Sequence, residues 1–566
     1  MADPITSRSR RGAGDTDAQI TRGRALPRWH YLVALLAGAA NTLSFAPTPH
    51  GGWLELAIFA LFFAWLTRTT GWKSAALTGG AFGFGNFVTG VWWLYVSMHD
   101  YGGMAAPLAG AAVVLFSLYL AVYPALAAGV WSFCAGHARH GAADDRLPRL
   151  PRLPFAPTWH GAFAFASAWA IGEWLRGTVF TGFPWLASGY PQVDGPFAGF
   201  APVVGVYGVG WVLALAAALL VQSWIALRSA RRTTGLRNGS ATGSGNGFVP
   251  GVAAIALIVV GLLLPLAHWT TPANAPLTVR LLQGDVKQEM KFEEAGMRAA
   301  IDQYQQMITS KPADLIVTPE TAIPVLAQQL PAPFASAVRT FSDKTGSAIL
   351  FGAIGGTITP QGQVVDYTNS LFGVTPGSRD VYRYDKHHLV PFGEFVPWGF
   401  RWFVNLMSIP LGDFARGAPV QKPFLVHNQP VSVDICYEDI FGEEIARNIH
   451  DSDTPAGVLV NSTNLAWFGD TIALDQHLQI ARMRSLETGR PMLRATNTGT
   501  TAAIDADGRV LGRLKPYTIG SLDVTVQGTS GNTPYVTSGN NTVLAVSVLL
   551  LAFGFAFGPG LRRRRG

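Results

Sequence analysis

AAPLAGAAVVLFSLYLAVYPALAAGVWSFCA, residues 105–135, runs for 31 residues without a charged side chain. A helix needs roughly 20 apolar residues to cross the hydrocarbon core of a bilayer, so this stretch reads as a membrane span. Similar runs occupy 31–46, 53–66, 75–96, 163–175, 197–227 and 249–269, and one more lies at 543–557. The runs at 53–66 and 163–175 are short and need their flanks to reach across. The best count is eight spans forming an α-helical membrane bundle.

Composition agrees with that reading. A soluble chain of 566 residues would divide into three or four domains at roughly 150 residues each. Here 49% of residues are hydrophobic and only 14% charged, against roughly 25% charged in ordinary globular chains. The mean hydropathy is +0.24. Such a chain must hide much of its surface from water, which excludes bulk disorder. Two cysteines, Cys134 and Cys436, exclude a disulfide scaffold.

Loop charges orient the spans. Segments that would share a face with the N-terminus carry 20 Lys and Arg, in 1–28, 68–73, 136–159, 228–248 and 562–565. The intervening short loops 47–52, 97–104 and 179–196 carry none. This is the positive-inside pattern, and it predicts both termini in the cytoplasm and 271–540 on the opposite face. The basic leader 1–28 is too long for a cleaved signal peptide and is expected to be a disordered cytoplasmic tail. A Gly/Ser/Asn stretch at 235–247 reads as a flexible loop. The expected organisation is a tail at 1–28, a seven-span domain at 29–270, a catalytic domain at 271–540, and a last span with a basic tail at 541–566.

Residues 271–540 change character. Short β-branched runs at 277–282, 315–318, 348–353, 370–374, 431–435, 457–461, 492–496 and 502–504 read as strands. Helical patterns occupy 294–310 and 474–488. The alternation predicts an α/β sandwich with buried central strands. This segment holds 21 Lys and Arg against 26 Asp and Glu, a net −5, so the remainder is +12. The basic excess lies in the membrane-facing parts, and nucleic acid drops out as a partner.

Cys436 stands in VSVDICYEDIF, just past an apolar strand; Glu320 closes LIVTPE; Lys386 lies in YRYDKHHLVPFGEFVP, eight residues before Glu394. A carboxylate, an amine and a thiol at strand ends suit acyl transfer. The carboxylate takes the thiol proton, the thiolate attacks a carbonyl, and the ammonium stabilises the oxyanion. The same residues also read as a solvated strand end, a surface cation with salt-bridge partners, and a small buried hydrophobe. Spacing alone does not choose between them. Glu173 and Arg176, three apart on one helix, read equally as a functional site or as an interfacial ion pair. The aromatic connectors 183–185 and 398–403 read as domain bridges or as belt anchors. Trp467 and Phe468 read as core or as the lining of an acyl slot. His387, His388 and His477 have no metal-site spacing, and no metal or cofactor is expected.

The segment 271–540 resembles the nitrilase (carbon–nitrogen hydrolase) superfamily. Beyond residue 28 the whole chain resembles the apolipoprotein N-acyltransferase family of bacterial inner membranes. The likeness rests on EWLRG (173–177), TGFPWL (181–186), TPETAIP (318–324), DKHHLVPFGEFVP (385–397) and DICYED (434–439). STNLAWFGD, QHLQIARMRSLETGRP and RATNTG extend it. The resemblance implies a nitrilase-like αββα sandwich carrying a Glu320–Lys386–Cys436 triad, with Glu394, Tyr437 and Glu438 close by. It implies an acyl chain taken from a phospholipid of the phosphatidylethanolamine type onto Cys436. That chain would then pass to the α-amino group of a diacylglyceryl lipoprotein, by a ping-pong route with the catalytic domain in the periplasm. Phe292 and Trp467 are the candidate substrate-binding aromatics; Phe292 follows Lys291 where the family commonly has Trp. One triad per chain makes a monomer sufficient. A membrane-tethered amidase or thioesterase would use the same triad, and a transporter or scaffold would leave it idle.

Overall fold

The computed structural model describes residues 26–135, 159–234, 247–291, 293–404 and 413–557. The expectations for residues 1–25, for 235–246, for the terminal arginines and for Phe292 lie outside these residues. Each apolar run of the sequence folds as a helix. Seven precede the sandwich: α1 (Arg28–Asn41), α2 (Gly51–Leu66), α3 (Trp72–Gly90), α4 (Ala106–Cys134), α5 (Trp159–Arg176), α6 (Ala201–Thr234) and α7 (Val249–Leu263). Among the described residues, three helical stretches, Ala106–Cys134, Ala198–Arg228 and Val249–Leu266, are long and apolar enough to cross a membrane. Gly51–Leu66 and Asn541–Ala556 are apolar but shorter. Small residues let the helices approach closely, as they do where lipid supplies no hydrophobic drive between them. A Cβ on Gly38 of α1 would lie 1.8 Å from the Phe82 carbonyl oxygen on α3, and one on Gly79 would lie 2.4 Å from that of Pro124 on α4.

The sandwich follows. Its strands are β1 (Leu277–Gln283), β2 (Leu315–Val317), β3 (Ile323–Leu326), β4 (Ala348–Ile358), β5 (Val364–Val374), β6 (Val381–Asp385), β7 (Phe424–Val426), β8 (Gln429–Ile435), β9 (Val458–Thr463), β10 (Met492–Thr496), β11 (Ala502–Ile504), β12 (Val510–Arg513) and β13 (Gly520–Val526). One sheet runs β13-β1-β2-β4-β5-β6, with β3 beside β4, and the other runs β12-β11-β10-β9-β8-β7. Both have parallel centres, β1-β2-β4 and β8-β9-β10. Parallel strands are buried on both faces, which is why these read as continuous apolar runs. Val279, Leu281, Leu350, Val431, Val433 and Val460 fill the space between the sheets. Helices α8 (Glu294–Thr309) and α9 (Ala332–Thr345) cover the first sheet through Ile301, Tyr304, Phe334 and Val338. Helices α10 (Gly442–His450) and α11 (Ala473–Thr488) cover the second through Ile445, Ile449, Leu478 and Ala481. The arrangement is αββα, and α12 (Asn541–Phe557) returns to the bundle against α5.

Sequence periodicity does not reveal β3, β6, β7, β12 or β13, nor α9 and α10. Strand β12 is largely exposed and β13 mostly half-buried, and both lack the buried apolar runs that mark the centres. β5 also begins earlier than the apolar signal, because its first four residues are not buried.

Helix α11 joins the two halves. Nearly all its residues are buried, as expected of a helix packed on every side. Ile480 and Met483 pack with the bundle while Leu478 and Ala481 face the second sheet. Gln476 Oε1 accepts hydrogen bonds from the indoles of Trp185 (2.8 Å) and Trp93 (3.2 Å). Arg482 grips Asp194 with two bonds of 2.7 Å. α6 breaks at Gly205 (φ 66°), and the adjacent Val206 amide donates to Glu487 Oε1 at 2.7 Å. Glu487 also pairs with fully buried Arg484 at 3.1 Å. Removing one partner of a buried pair leaves a charge uncompensated. Glu487→Ala is therefore expected to cost ~3–5 kcal/mol, read as a lowered unfolding midpoint in detergent. Glu487→Gln, which keeps an acceptor for Val206, should cost less; equal midpoints for wild type and Glu487→Ala would refute this role for the pair.

Candidate active site

Glu320 follows β2 by three residues, Lys386 follows β6 directly, and Cys436 follows β8 directly. Carboxyl ends of strands from both sheets thus deliver them to one end of the sandwich. Lys386 Nζ lies 2.9 Å from the Glu394 carboxylate and 3.6 Å from Glu320 Oε1, and its side chain is 1% exposed. Asn369 on β5 ties the two carboxylates together, donating to Glu320 Oε1 (2.6 Å) and Glu394 Oε1 (2.7 Å). The Asn464 amide donates to Glu320 Oε2 (2.9 Å), and that of Val390 to Glu394 Oε2 (2.8 Å). Lys291 Nζ donates to the Glu320 carbonyl (3.2 Å). Burial works to lower the Lys386 pKa, but Glu394 and Glu320 outweigh it and hold the ammonium above the ordinary lysine range. Lys291 has weaker compensation, and burial brings it down to about 8 against the pull of Glu320 and Cys436.

Cys436 adopts φ 55°, a left-handed conformation that costs an L-residue roughly 1–2 kcal/mol. Its surroundings impose the turn. Glu438, two residues on, accepts from the amides of Ile435 (2.7 Å), His387 (2.7 Å) and His388 (3.1 Å) and from the Tyr384 hydroxyl (2.9 Å). Asn461 Nδ2 donates to the Cys436 carbonyl (3.1 Å). One buried carboxylate thereby fixes the segments carrying both Lys386 and Cys436. Burial raises the Glu438 pKa to about 7 against the opposing pull of Lys386 and those amides. Burial, with the Glu320 charge adding to it, pushes the Cys436 thiol up to about 12, and Lys386 only partly offsets this.

The other candidates separate. Tyr437 points into the bundle, where its hydroxyl donates to the Gly182 carbonyl (3.0 Å). Trp467 is half-buried, its ring 6.2 Å from that of Tyr101. Phe468 packs on Trp93 with ring centroids 4.5 Å apart. Of the two aromatic connectors, 183–185 bridges the halves: Trp185 is 2% exposed and stacks on His477 at 5.4 Å. In the other, Trp398 is 98% exposed. The Glu173–Arg176 pair is buried at 4.0 Å, and Arg176 Nη1 donates to the carbonyls of Phe183 and Trp185, both at 2.6 Å. Asn369 is a site residue that the sequence reading does not single out. Its signal is a lone amide at the head of the buried NSLFGV segment of β5.

An αββα sandwich with a glutamate, a lysine and a cysteine converging at its strand ends defines a class, the carbon–nitrogen hydrolases. Residues 269–535 match the family model described as Carbon-nitrogen hydrolase. Residues 37–219 match that of the Apolipoprotein N-acyltransferase N-terminal domain. The apolipoprotein N-acyltransferase of Ralstonia nicotianae is 49% identical over 534 residues, covering 94% of this chain and 93% of its own. Those of Bordetella bronchiseptica and Nitrosomonas europaea are 41% and 40% identical, each covering 94% of this chain and 98% of its own. The chain belongs to the apolipoprotein N-acyltransferase family, a branch of enzymes within the carbon–nitrogen hydrolase superfamily.

A thiol held near 12 is protonated at neutral pH, and its thiolate fraction grows tenfold per unit on the way up. Iodoacetamide labelling of Cys436 in the substrate-free enzyme should rise about tenfold per pH unit between 7 and 10. Labelling is followed by mass spectrometry, and a plateau near pH 8.5 would contradict the raised thiol pKa.

Proposed function

We propose that this protein transfers an acyl chain from a phospholipid, through a thioester on Cys436, to the α-amino group of the diacylglyceryl-cysteine that begins a lipoprotein. The observation that carries the reading is the buried cluster of Glu320, Lys386 and Glu394 beside Cys436 in a chain of this family. Glu320 takes the thiol proton as sulfur attacks the ester carbonyl of the lipid. Lys386 stabilises the oxyanion that forms. Collapse breaks the bond to the glycerol oxygen, which leaves with the proton from Glu320 as a lysophospholipid. The acceptor amine then attacks the thioester, gives a proton to Glu320, and displaces the thiolate, which is reprotonated. Glu394 holds Lys386 in place, Glu438 holds the turn that presents the sulfur, and Tyr437 ties that turn to the bundle. One complete set per chain is sufficient, so a monomer can act.

Both substrates are lipids, and a site joined to a helical bundle spares the acyl chain passage through water, at ~0.8 kcal/mol per CH₂. In this reading the eight helices are eight spans of the bacterial inner membrane. Residues 29–270 are the seven-span domain, and 271–540 the catalytic domain on the periplasmic side. Residues 541–566 contribute the last span, and both termini are cytoplasmic. The one-sided distribution of Lys and Arg supports this orientation.

Mass spectrometry of enzyme isolated from its own membrane should find an acyl adduct on Cys436. Cys436→Ser should abolish the thioester, and Glu320→Gln should slow its formation by roughly 10²–10⁴-fold, the usual worth of a general base. An adduct elsewhere, lipoprotein acylation by Cys436→Ala, or acyl release only as free acid would sink the proposal. For orientation, a membrane-impermeant thiol reagent at alkaline pH should label, in spheroplasts, the fraction of Cys436 that carries no acyl chain; labelling only in inverted vesicles would reverse the topology.

A further inference from the structure

A cavity of about 300 Å³ lies where the bundle meets the sandwich. Tyr101 enters it from the turn that follows α3; Asp285, Lys287 and Glu289 come from the loop after β1; and Thr498 and Tyr517 close it. It adjoins the site already described through two hydrogen bonds. Gln288, also in its wall, accepts from Asn464 Nδ2 (2.9 Å), and the Asn464 amide donates to Glu320 Oε2 (2.9 Å).

The lining is polar. Two carboxylates face one lysine, and the charges of Asp100 and Asp470 also bear on Tyr101 and Tyr517 respectively. Thr498 is 3% exposed, and its hydroxyl lies beside that of Tyr517. The hydroxyl oxygen of Tyr517 is buried and, with two lone pairs, can accept a further proton. An acyl chain placed here would strip water from these groups and return nothing, at a cost of order 1–3 kcal/mol for each. A primary ammonium returns a bond to each acceptor: its three protons suit carboxylates and a hydroxyl, and aromatic faces attract its charge. A quaternary ammonium has no proton to donate.

We propose that this cavity is a subsite for a primary ammonium group of a substrate, held by Asp285 and Glu289 and by the hydroxyls of Thr498 and Tyr517. It rests on the acyl-transfer reading above. Both substrates carry such a group: the ethanolamine headgroup of the donor lipid and the α-amine of the acceptor. Lys287 beside the carboxylates matches the headgroup, whose phosphate is attached next to its ammonium.

The test uses the full-length enzyme in detergent, with Asp285→Asn, Glu289→Gln and the double variant. All three keep the size of the side chain, and both positions lie on a partly exposed loop. Single-turnover charging of Cys436 is measured from phosphatidylethanolamine and from phosphatidylglycerol with identical acyl chains. Aminolysis of the pre-formed acyl-enzyme is measured separately. If the headgroup occupies the subsite, the double variant loses roughly tenfold or more in charging from phosphatidylethanolamine and nothing from phosphatidylglycerol. If the acceptor amine occupies it, both charging rates stand and aminolysis falls by a similar factor. Unchanged rates in all three assays overturn the proposal. Binding of glycerophosphoethanolamine to Cys436→Ala, with and without the two substitutions, gives a readout independent of turnover. A wild-type enzyme that never charges Cys436 but binds this probe through Asp285 and Glu289 keeps the subsite and refutes the reaction. If the probe binds equally with and without the carboxylates, and aminolysis is also unchanged, the subsite is refuted whatever the reaction.

Discussion

An ammonium with almost no access to water, Lys386, sits 2.9 Å from one carboxylate and 3.6 Å from another, and each charge is tolerable only because the others are there. Isolated ions in such a place would neutralise or draw in water. Together they need Asn369 to separate and bridge Glu320 and Glu394, and backbone amides at 464 and 390 to occupy the remaining oxygens. Those donors come from loops and strands of both sheets. Satisfying one buried lysine therefore fixes how the two halves of the sandwich meet, and leaves a carboxylate beside a protonated thiol.

Glu438 performs a parallel task on the other side of the sulfur. Its four hydrogen bonds join the strand end before Cys436 to residues on both sides of Lys386, so the thiol and the ammonium cannot drift apart independently. The left-handed turn at Cys436 is held by contacts two residues away on one side and on β9 on the other. Strain of this kind persists only where surrounding structure over-determines it.

Helix α11 carries the same logic to the bundle. Little of it meets solvent, so its polar residues must find partners on both sides. They do so with Trp93 and Trp185, with Asp194, and with the amide that the break at Gly205 releases from α6. Arg176 and Glu173 brace the 183–188 loop that presents Trp185 to His477. The pair that read in sequence equally as a functional site or an interfacial ion pair is thus a clamp on the connector between bundle and sandwich.

What the sequence determined by itself is whatever follows from local apolar content. The eight helices, the parallel centres of both sheets, and a carboxylate, an amine and a thiol beside strand ends can all be read there. Edge strands such as β12 and β13 cannot, because strands with hardly any buried residue carry little apolar signal without the partner strand. Only the tertiary structure decided the company each charge keeps. Asn369 and Asn464 reach Glu320 across 49 and 144 residues, and Lys291 reaches it across 29. No periodicity records such distances, since these bonds form only after packing has removed the water that would otherwise satisfy the same groups.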